Sequence, residues 1–289
     1  MSRPRARLGD AMNSDQPFLR CRTVFISDLH LGSRDCQAEL LLDFIRSIEC
    51  QTMFLIGDIV DGWKLKNGWH WPQSHNDVVQ KLLRMVRKGT QIVYLGGNHD
   101  RAVLDFCGVH FGGVVVGRDA VHQTFDGRRL LVTHGDAFDE IAAHPAWRAF
   151  VGDWGYRILI ALNTALNGLR RRLGGGYWSL AAHVKLRSRD ATRFVDRFEE
   201  ALAREAGRRS LDGVVCGHIH IPAMREIGGV LYINDGDWVE SCTAVVEHAD
   251  GRLELIDWPR RRDEFVSKAA ANETTMVNPL VPELTRELN

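Results

Sequence analysis

No window of the 289-residue chain approaches the ~18 consecutive apolar residues of a membrane-spanning helix, so a soluble protein is expected. Paired cysteines are missing too. Cys21, Cys36, Cys50, Cys107, Cys216 and Cys242 are scattered, with neither C-x-x-C nor paired spacing, which argues against a disulfide framework or a zinc finger and fits reduced thiols in a cytoplasm. Nor is there charge of one sign to spare. Lys plus Arg and Asp plus Glu both number 37, so no global field calls for nucleic acid. The arginine-bearing N-terminus lacks the apolar core and cleavage site of a signal peptide, and residues 1–20 are expected to be a disordered tail. Residues 259–289 are as weakly patterned and are expected to form a second tail.

What is present is ordinary globular composition, 45% hydrophobic and 26% charged, arranged in a recurring local pattern. Short β-like runs end the same way: "RTVFIS" before Asp28-Leu29-His30, "TMFLIG" before Asp58, "QIVYLGG" before Asn98, "RLLVT" before His134 and "DGVVCG" before His218. Each has the length and β-branched character of a buried strand and places ligand-type or acid–base residues just past its carboxyl end. Helix-like stretches at about 36–48 and 74–88 separate the first three, the rhythm of a sheet covered by helices. Residues 114–133 read as a hairpin around Asp126-Gly127, and 223–257 as strands punctuated by Gly228-Gly229 and Asp250-Gly251, which predicts a second sheet formed or extended by these segments. A helix-like insertion over about 144–207 interrupts this later part, within one domain over 21–258.

Collected in order, the motifs are Asp28-x-His30, Gly57-Asp58-x-x-Asp61, Gly97-Asn98-His99-Asp100, His134-Gly135-Asp136 and Gly217-His218-x-His220. Carboxylates, an amide oxygen and imidazoles are ligands suited to Mn²⁺, Fe²⁺ or Zn²⁺, and no cysteine is needed. Two dications about 3.5–4 Å apart require a bridging group and several ligands on each side, which this inventory supplies. As a turn, "GNHD" is equally well formed, since Gly, Asn and Asp tolerate tight conformations.

In this ordered set the chain resembles the calcineurin-like metallophosphoesterases, and the resemblance implies an α/β fold, a two-sheet αββα sandwich of the metallophosphoesterase type with a helical insertion. It further implies that Asp28, His30, Asp58 and His220 hold one metal and that Asp58, Asn98, His134 and His218 hold the other, with Asp58 shared. The expected cofactors are two divalent ions, Mn²⁺ foremost, with Fe²⁺ or Zn²⁺ compatible. A water between two dications has a strongly lowered pKa and supplies hydroxide. His99 is implied as the residue that protonates the leaving oxygen or stabilises charge on the phosphoryl oxygens, and Asp100 as its orienting partner. Asp61 and Asp136 divide evenly between ligand-orienting acceptors and loop caps. His70, His75, His110, His122, His144, His183 and His248 match no motif.

Within the superfamily, "ISDLHLG", "GDIVDGW", the insertion after "THGD", "GHIH" and "INDGDW" are most similar to the UDP-2,3-diacylglucosamine hydrolase group of lipid A synthesis, which cleaves a pyrophosphate at the cytoplasmic membrane surface. The resemblance implies a phosphate-ester substrate, a nucleotide-linked lipid, and a cytoplasmic enzyme with peripheral contact to the inner membrane face. His99 departs from that group, whose best-known members carry arginine there. In the insertion, Trp154 to Leu169 is largely apolar and runs into Arg170-Arg171-Arg172, which suits an acyl-chain groove or an anionic lipid surface as well as it suits a helix packed on the protein. Trp154, Tyr177, Trp178 and Arg193 are the substrate-binding candidates. A soluble nucleotide or other phosphodiester is the alternative substrate, and a non-catalytic membrane- or protein-binding scaffold the alternative of another class.

Overall fold

The computed structural model describes residues 19–139 and 189–264. Its elements run β1 (Leu19–Ile26), α1 (Ala38–Ser47), β2 (Ile48–Ile56), α2 (Gly62–Asn67), α3 (Gln73–Arg87), β3 (Gln91–Leu95), β4 (His110–Phe111), β5 (Val114–Gly117), β6 (Asp119–Gln123), β7 (Arg129–Thr133), α4 (Arg189–Arg208), β8 (Gly213–Cys216), β9 (Ala223–Ile227), β10 (Val230–Asn234), β11 (Thr243–Glu247) and β12 (Leu253–Asp257). Turns of 3-10 helix cover Arg101–Phe106 and Asp136–Phe138. Two sheets result, ordered β12-β11-β1-β2-β3-β5-β4 and β6-β7-β8-β10-β9.

Alternation along the strands builds the layers. Val24 and Ile26 face α1 and α3, joining Leu41, Phe44, Ile45, Val78 and Met85, while Phe25 between them points to the other sheet. Leu130 and Val132 meet Phe25, Phe54 and Leu95 between the sheets, whereas Leu131 turns outward to Phe198 and Leu202 of α4. Helix, sheet, sheet and helix are therefore stacked, the αββα sandwich implied by the motifs. Both expected early helices form, their apolar residues recurring at helical spacing: His75, Val78, Leu82 and Met85 are the buried positions of α3.

Four expectations need correction. Residues 114–133 are not one hairpin: β5 lies parallel to β3 in the first sheet (Ile92 opposite Val114), and only β6 and β7 pair around Asp126-Gly127, in the second. Consecutive valines suit a parallel strand, and the chain changes sheets at Arg118 without a turn signal. The late strands are likewise divided, because β9 and β10 join the second sheet while β11 and β12 extend the first along β1. Residues 189–207, expected as the end of an insertion, form α4, whose Phe198, Leu202 and Ala206 cover Val214, Cys216 and Tyr232. Helical backbone also runs over 258–264, from the last residue of the expected domain into the expected C-terminal tail, and buried Trp258 at its start donates its indole N–H to Asp43 at 3.1 Å. Residues 144–188 of the expected insertion lie outside the described residues.

β1, β2 and β3 are mutually parallel, as are β7 and β8. Their carboxyl ends carry the five motifs.

Candidate metal centre

The backbone is strained where the ligand-type residues stand. Asp28, His30, Asp58, His218 and His220 all have φ between 49° and 70°, the left-handed region that costs a non-glycine residue roughly 1–3 kcal/mol. Those conformations turn each side chain back over the strand ends. Neighbouring glycines make room: a Cβ on Gly57, itself at φ 75°, would lie 2.3 Å from His134 Nδ1, and one on Gly217 would lie 2.5 Å from Asp28 Oδ2. The "GD" and "GH" pairs thus have a packing cause, since the ligand of one strand fills the space above the glycine of the next.

Three overlapping groups of donor atoms form, each within 4.8 Å of one another: Asp28, His30 and His220; His30, Asp58 and His99; Asp28, Asp58 and His134. His134 Nδ1 donates to Ile56 O at 2.9 Å, which aims Nε2 at Asn98 Oδ1 (3.2 Å) and Asp58 Oδ1 (3.5 Å). His30 Nδ1 donates to Asp61 Oδ2 at 3.2 Å, leaving Nε2 buried without a hydrogen-bond partner, 3.7 Å from Asp28 Oδ1 and 3.9 Å from Asp58 Oδ2. A buried nitrogen faced by two carboxylates, in a cysteine-free oxygen and nitrogen donor set, fits a divalent cation.

Electrostatics agree. Burial disfavours the imidazolium of His30, but the nearby Asp28 carboxylate, the hydrogen bond to Asp61 and the charge of Asp58 outweigh it and push the pKa up to about 10. His134 is likewise pushed up to about 10, burial being overcome chiefly by Asp58. Asp28 and Asp58 resist the burial that would protonate them and are held below the usual carboxylate range, Asp28 chiefly by His220 and then by His30 and His134, Asp58 chiefly by His134 and then by His30. Such a cluster attracts positive charge, as protons or as metal.

Asp100 does not orient His99. Its carboxylate accepts from Gly97 N (2.6 Å), Ile59 N (2.8 Å), Asp58 N (3.3 Å) and the Tyr94 hydroxyl (2.6 Å), so it ties the third motif to the second. Its short side chain beside the turn reaches backbone amides before it can reach a ring. The orienting residue is Asp61, whose Oδ1 takes His99 Nδ1 at 3.0 Å while Oδ2 holds His30. His99 Nε2 then lies 3.8 Å from Asp58 Oδ2, and half-exposed Trp63 stacks on the His99 ring with centroids 4.0 Å apart. His218 stands apart from the three groups: its ring meets His134 at 5.0 Å, but Nε2 is 2.7 Å from Asp139 Oδ1. Half-buried Asp136 starts the 3-10 turn and adds negative charge beside His134. Arg193 is an exposed residue near the start of α4, while Trp154, Tyr177 and Trp178 lie outside the described residues.

Residues not singled out from the sequence support the ligands from behind. The Ser27 hydroxyl sits 2.6 Å from Asp28 Oδ2 and 2.6 Å from Asp235 Oδ1. One proton cannot serve two carboxylates, and burial pushes the Asp235 carboxyl well above its usual range, so Asp235 supplies the second. Asp237 Oδ2 lies 4.0 Å from His220 Nδ1. Both aspartates belong to "INDGDW", whose two buried acids in six residues were the available signal.

A sequence model described as calcineurin-like phosphoesterase matches residues 21–222. UDP-2,3-diacylglucosamine hydrolase of Xanthomonas campestris pv. campestris is 27% identical over 241 residues, covering 79% of this chain and 96% of its own. The protein of that name from Chromohalobacter salexigens is 28% identical over 228 residues, 71% of this chain and 82% of its own. Among solved structures, YfcE, a phosphoesterase from E. coli, aligns with a TM-score of 0.40 at 16% identity, covering 81% of this chain and 98% of that one.

Proposed function

The chain belongs to the calcineurin-like phosphoesterase family, a metal-dependent hydrolase by that membership, and we propose that it cleaves the pyrophosphate bond of a nucleotide-linked lipid of the UDP-2,3-diacylglucosamine type. In this reading two divalent ions, Mn²⁺ foremost, are held by Asp28, His30, Asp58, Asn98, His134, His218 and His220. Asp58 carries it: Oδ1 faces His134 Nε2 at 3.5 Å and Oδ2 faces His30 Nε2 at 3.9 Å, so one carboxylate serves both halves of the cluster. Bound there, divalent ions supply Lewis acidity and acidify water toward a nucleophile at neutral pH.

The chain's own groups do the rest. With Nδ1–H donated to Asp61, His99 presents Nε2 to the centre, where the doubly protonated ring hands its Nε2 proton to the departing oxygen and is left neutral. Trp63, lying over His99, restricts that ring's rotation and screens it from water. Asn98 offers a neutral oxygen beside His134, adding a ligand without adding charge. Among the described residues no helix is long and apolar enough to cross a membrane.

A second reading, hydrolysis of a soluble phosphodiester, is favoured by His99 itself, the general phosphoesterase residue at a position where the lipid-cleaving group carries arginine. The test is Mn²⁺-dependent hydrolysis of UDP-2,3-diacylglucosamine and of bis-p-nitrophenyl phosphate, with Asp58→Ala as control. Release of UMP from the first supports the primary reading. Turnover of the second alone transfers support to the soluble substrate, and activity on neither sinks both.

A further inference from the structure

On the helical face of the first sheet a cavity of about 490 Å³ opens between the start of α1, the start of α3 and Arg262. Both helices begin there without a side-chain cap, since neither Gln37 before α1 nor Pro72 before α3 provides one. Leu41 N, bonded to Gln37 O at 3.0 Å, is the first amide of α1 to find a helical carbonyl, and with the Ala38 N–H engaged by the Cys36 sulfur the amides at 39 and 40 are left at its positive end. Residues Ala38, Glu39 and Leu40 of one helix and Ser74 and His75 of the other line the cavity, and two dipoles converge on it.

An independent feature points the same way. His75 is 2% exposed, and its Nδ1 accepts the Gly32 N–H at 3.0 Å, which places the ring proton on Nε2. Burial, together with the nearby charge of His70, lowers its pKa and keeps the ring neutral. Nε2–H is then a fixed donor, with no acceptor among the described residues, on a side chain that lines the cavity. The charge on the walls is positive. Asp43 is occupied by Arg262 Nε at 3.0 Å and by Trp258, which leaves Glu39 against exposed Arg34 and Arg46, neither of which has a carboxylate partner among the described residues.

We infer that this cavity is a second ligand site, separate from the metal centre, for a phosphomonoester small molecule. Two uncapped helix starts and the His75 donor receive the phosphate oxygens, Arg34 and Arg46 neutralise the charge, and the volume falls in the ~300–1,000 Å³ class of small-molecule pockets, well beyond a bare phosphate. Ser33, on its wall, donates its N–H to His30 O at 2.9 Å, so the ligand sits three residues along the chain from the metal centre.

The inference does not depend on the proposed reaction, and the experiment separates the two. Calorimetric titration of the full chain with UMP, glucose 1-phosphate and inorganic phosphate is run with EDTA present, so that no divalent ion can hold a phosphate at the metal centre, and is repeated on Asp58→Ala. One-to-one binding of a monoester, tighter than inorganic phosphate, is expected in both proteins. The double variant Arg34→Ala/Arg46→Ala, altered only at exposed positions, should bind about tenfold or more weakly, and added salt should weaken the parent. Binding by no probe, equal or tighter binding of inorganic phosphate, or unchanged affinity in the arginine variant overturns the inference.

Discussion

Gly97→Ala isolates the physical claim on which the metal centre rests, that a ligand carboxylate occupies the space above a glycine. A Cβ at residue 97 would lie 2.3 Å from Asp58 Oδ1, 2.7 Å from Asp58 N and 2.8 Å from His134 Cδ2. Backbone cannot yield as a flexible side-chain tip does, and ordinary carbon contacts begin near 3.4 Å, so Asp58 must shift by roughly 1 Å. Overpacking of this kind typically costs about 1–3 kcal/mol of stability. The functional loss should be larger, because a misplacement of about 1 Å lowers turnover by around 10²-fold. The expected outcome is a folded protein with weakened Mn²⁺ binding in titration calorimetry and a kcat/KM reduced by about two orders of magnitude. Gly68→Ala, where a Cβ would meet nothing within 4 Å, controls for the loss of a glycine as such. If Gly97→Ala bound Mn²⁺ and turned over like the parent, the packing argument would be wrong.

Asp100→Asn replaces an acceptor of four hydrogen bonds with a group that must present an N–H₂ to some of the same donors; urea unfolding should show about 2–4 kcal/mol lost. Asp61→Asn leaves one oxygen to serve two histidine N–H donors and the Lys64 amide that Asp61 caps, so metal affinity or turnover should drop about 10–100-fold, and an unchanged KM for Mn²⁺ together with unchanged kcat would exclude the orienting role. His30 and His134, each pushed up to about 10, stabilise the metal-free protein fully below the unfolded histidine value near 6.5 and lose that contribution as pH rises through about 10. The melting temperature in EDTA should therefore fall across that window. Mn²⁺ should flatten the profile and release protons on binding, which unbuffered titration detects.

Strand identity and the motif residues were legible because they are local: a β-branched run ending in Gly and a ligand-type residue carries its own signal, and α1 and α3 announced themselves by the spacing of Leu41, Phe44 and Ile45 or Val78, Leu82 and Met85. Misreadings arose where the deciding partner is distant in the chain. Nothing near Val114 says that it will pair with Ile92 rather than turn back on residue 129, and nothing near Thr243 says that β11 will find β1, more than two hundred residues earlier. Phe198 and Leu202 show a helical face but not the sheet that it covers.

The same division runs through the metal centre. By itself the amino-acid order determined which residue types stand at the strand ends and hence the class of ion that suits them, because ligand chemistry belongs to each side chain. Only the tertiary structure decided that Asp61 rather than Asp100 holds His99, that Ser27 and Asp235 stand behind Asp28, and that His218 turns toward Asp139. Those are contacts between strand ends from different parts of the chain, set by which carboxylate lies within about 3 Å of a given donor once the sheets have closed, and distance in space is not a property of sequence.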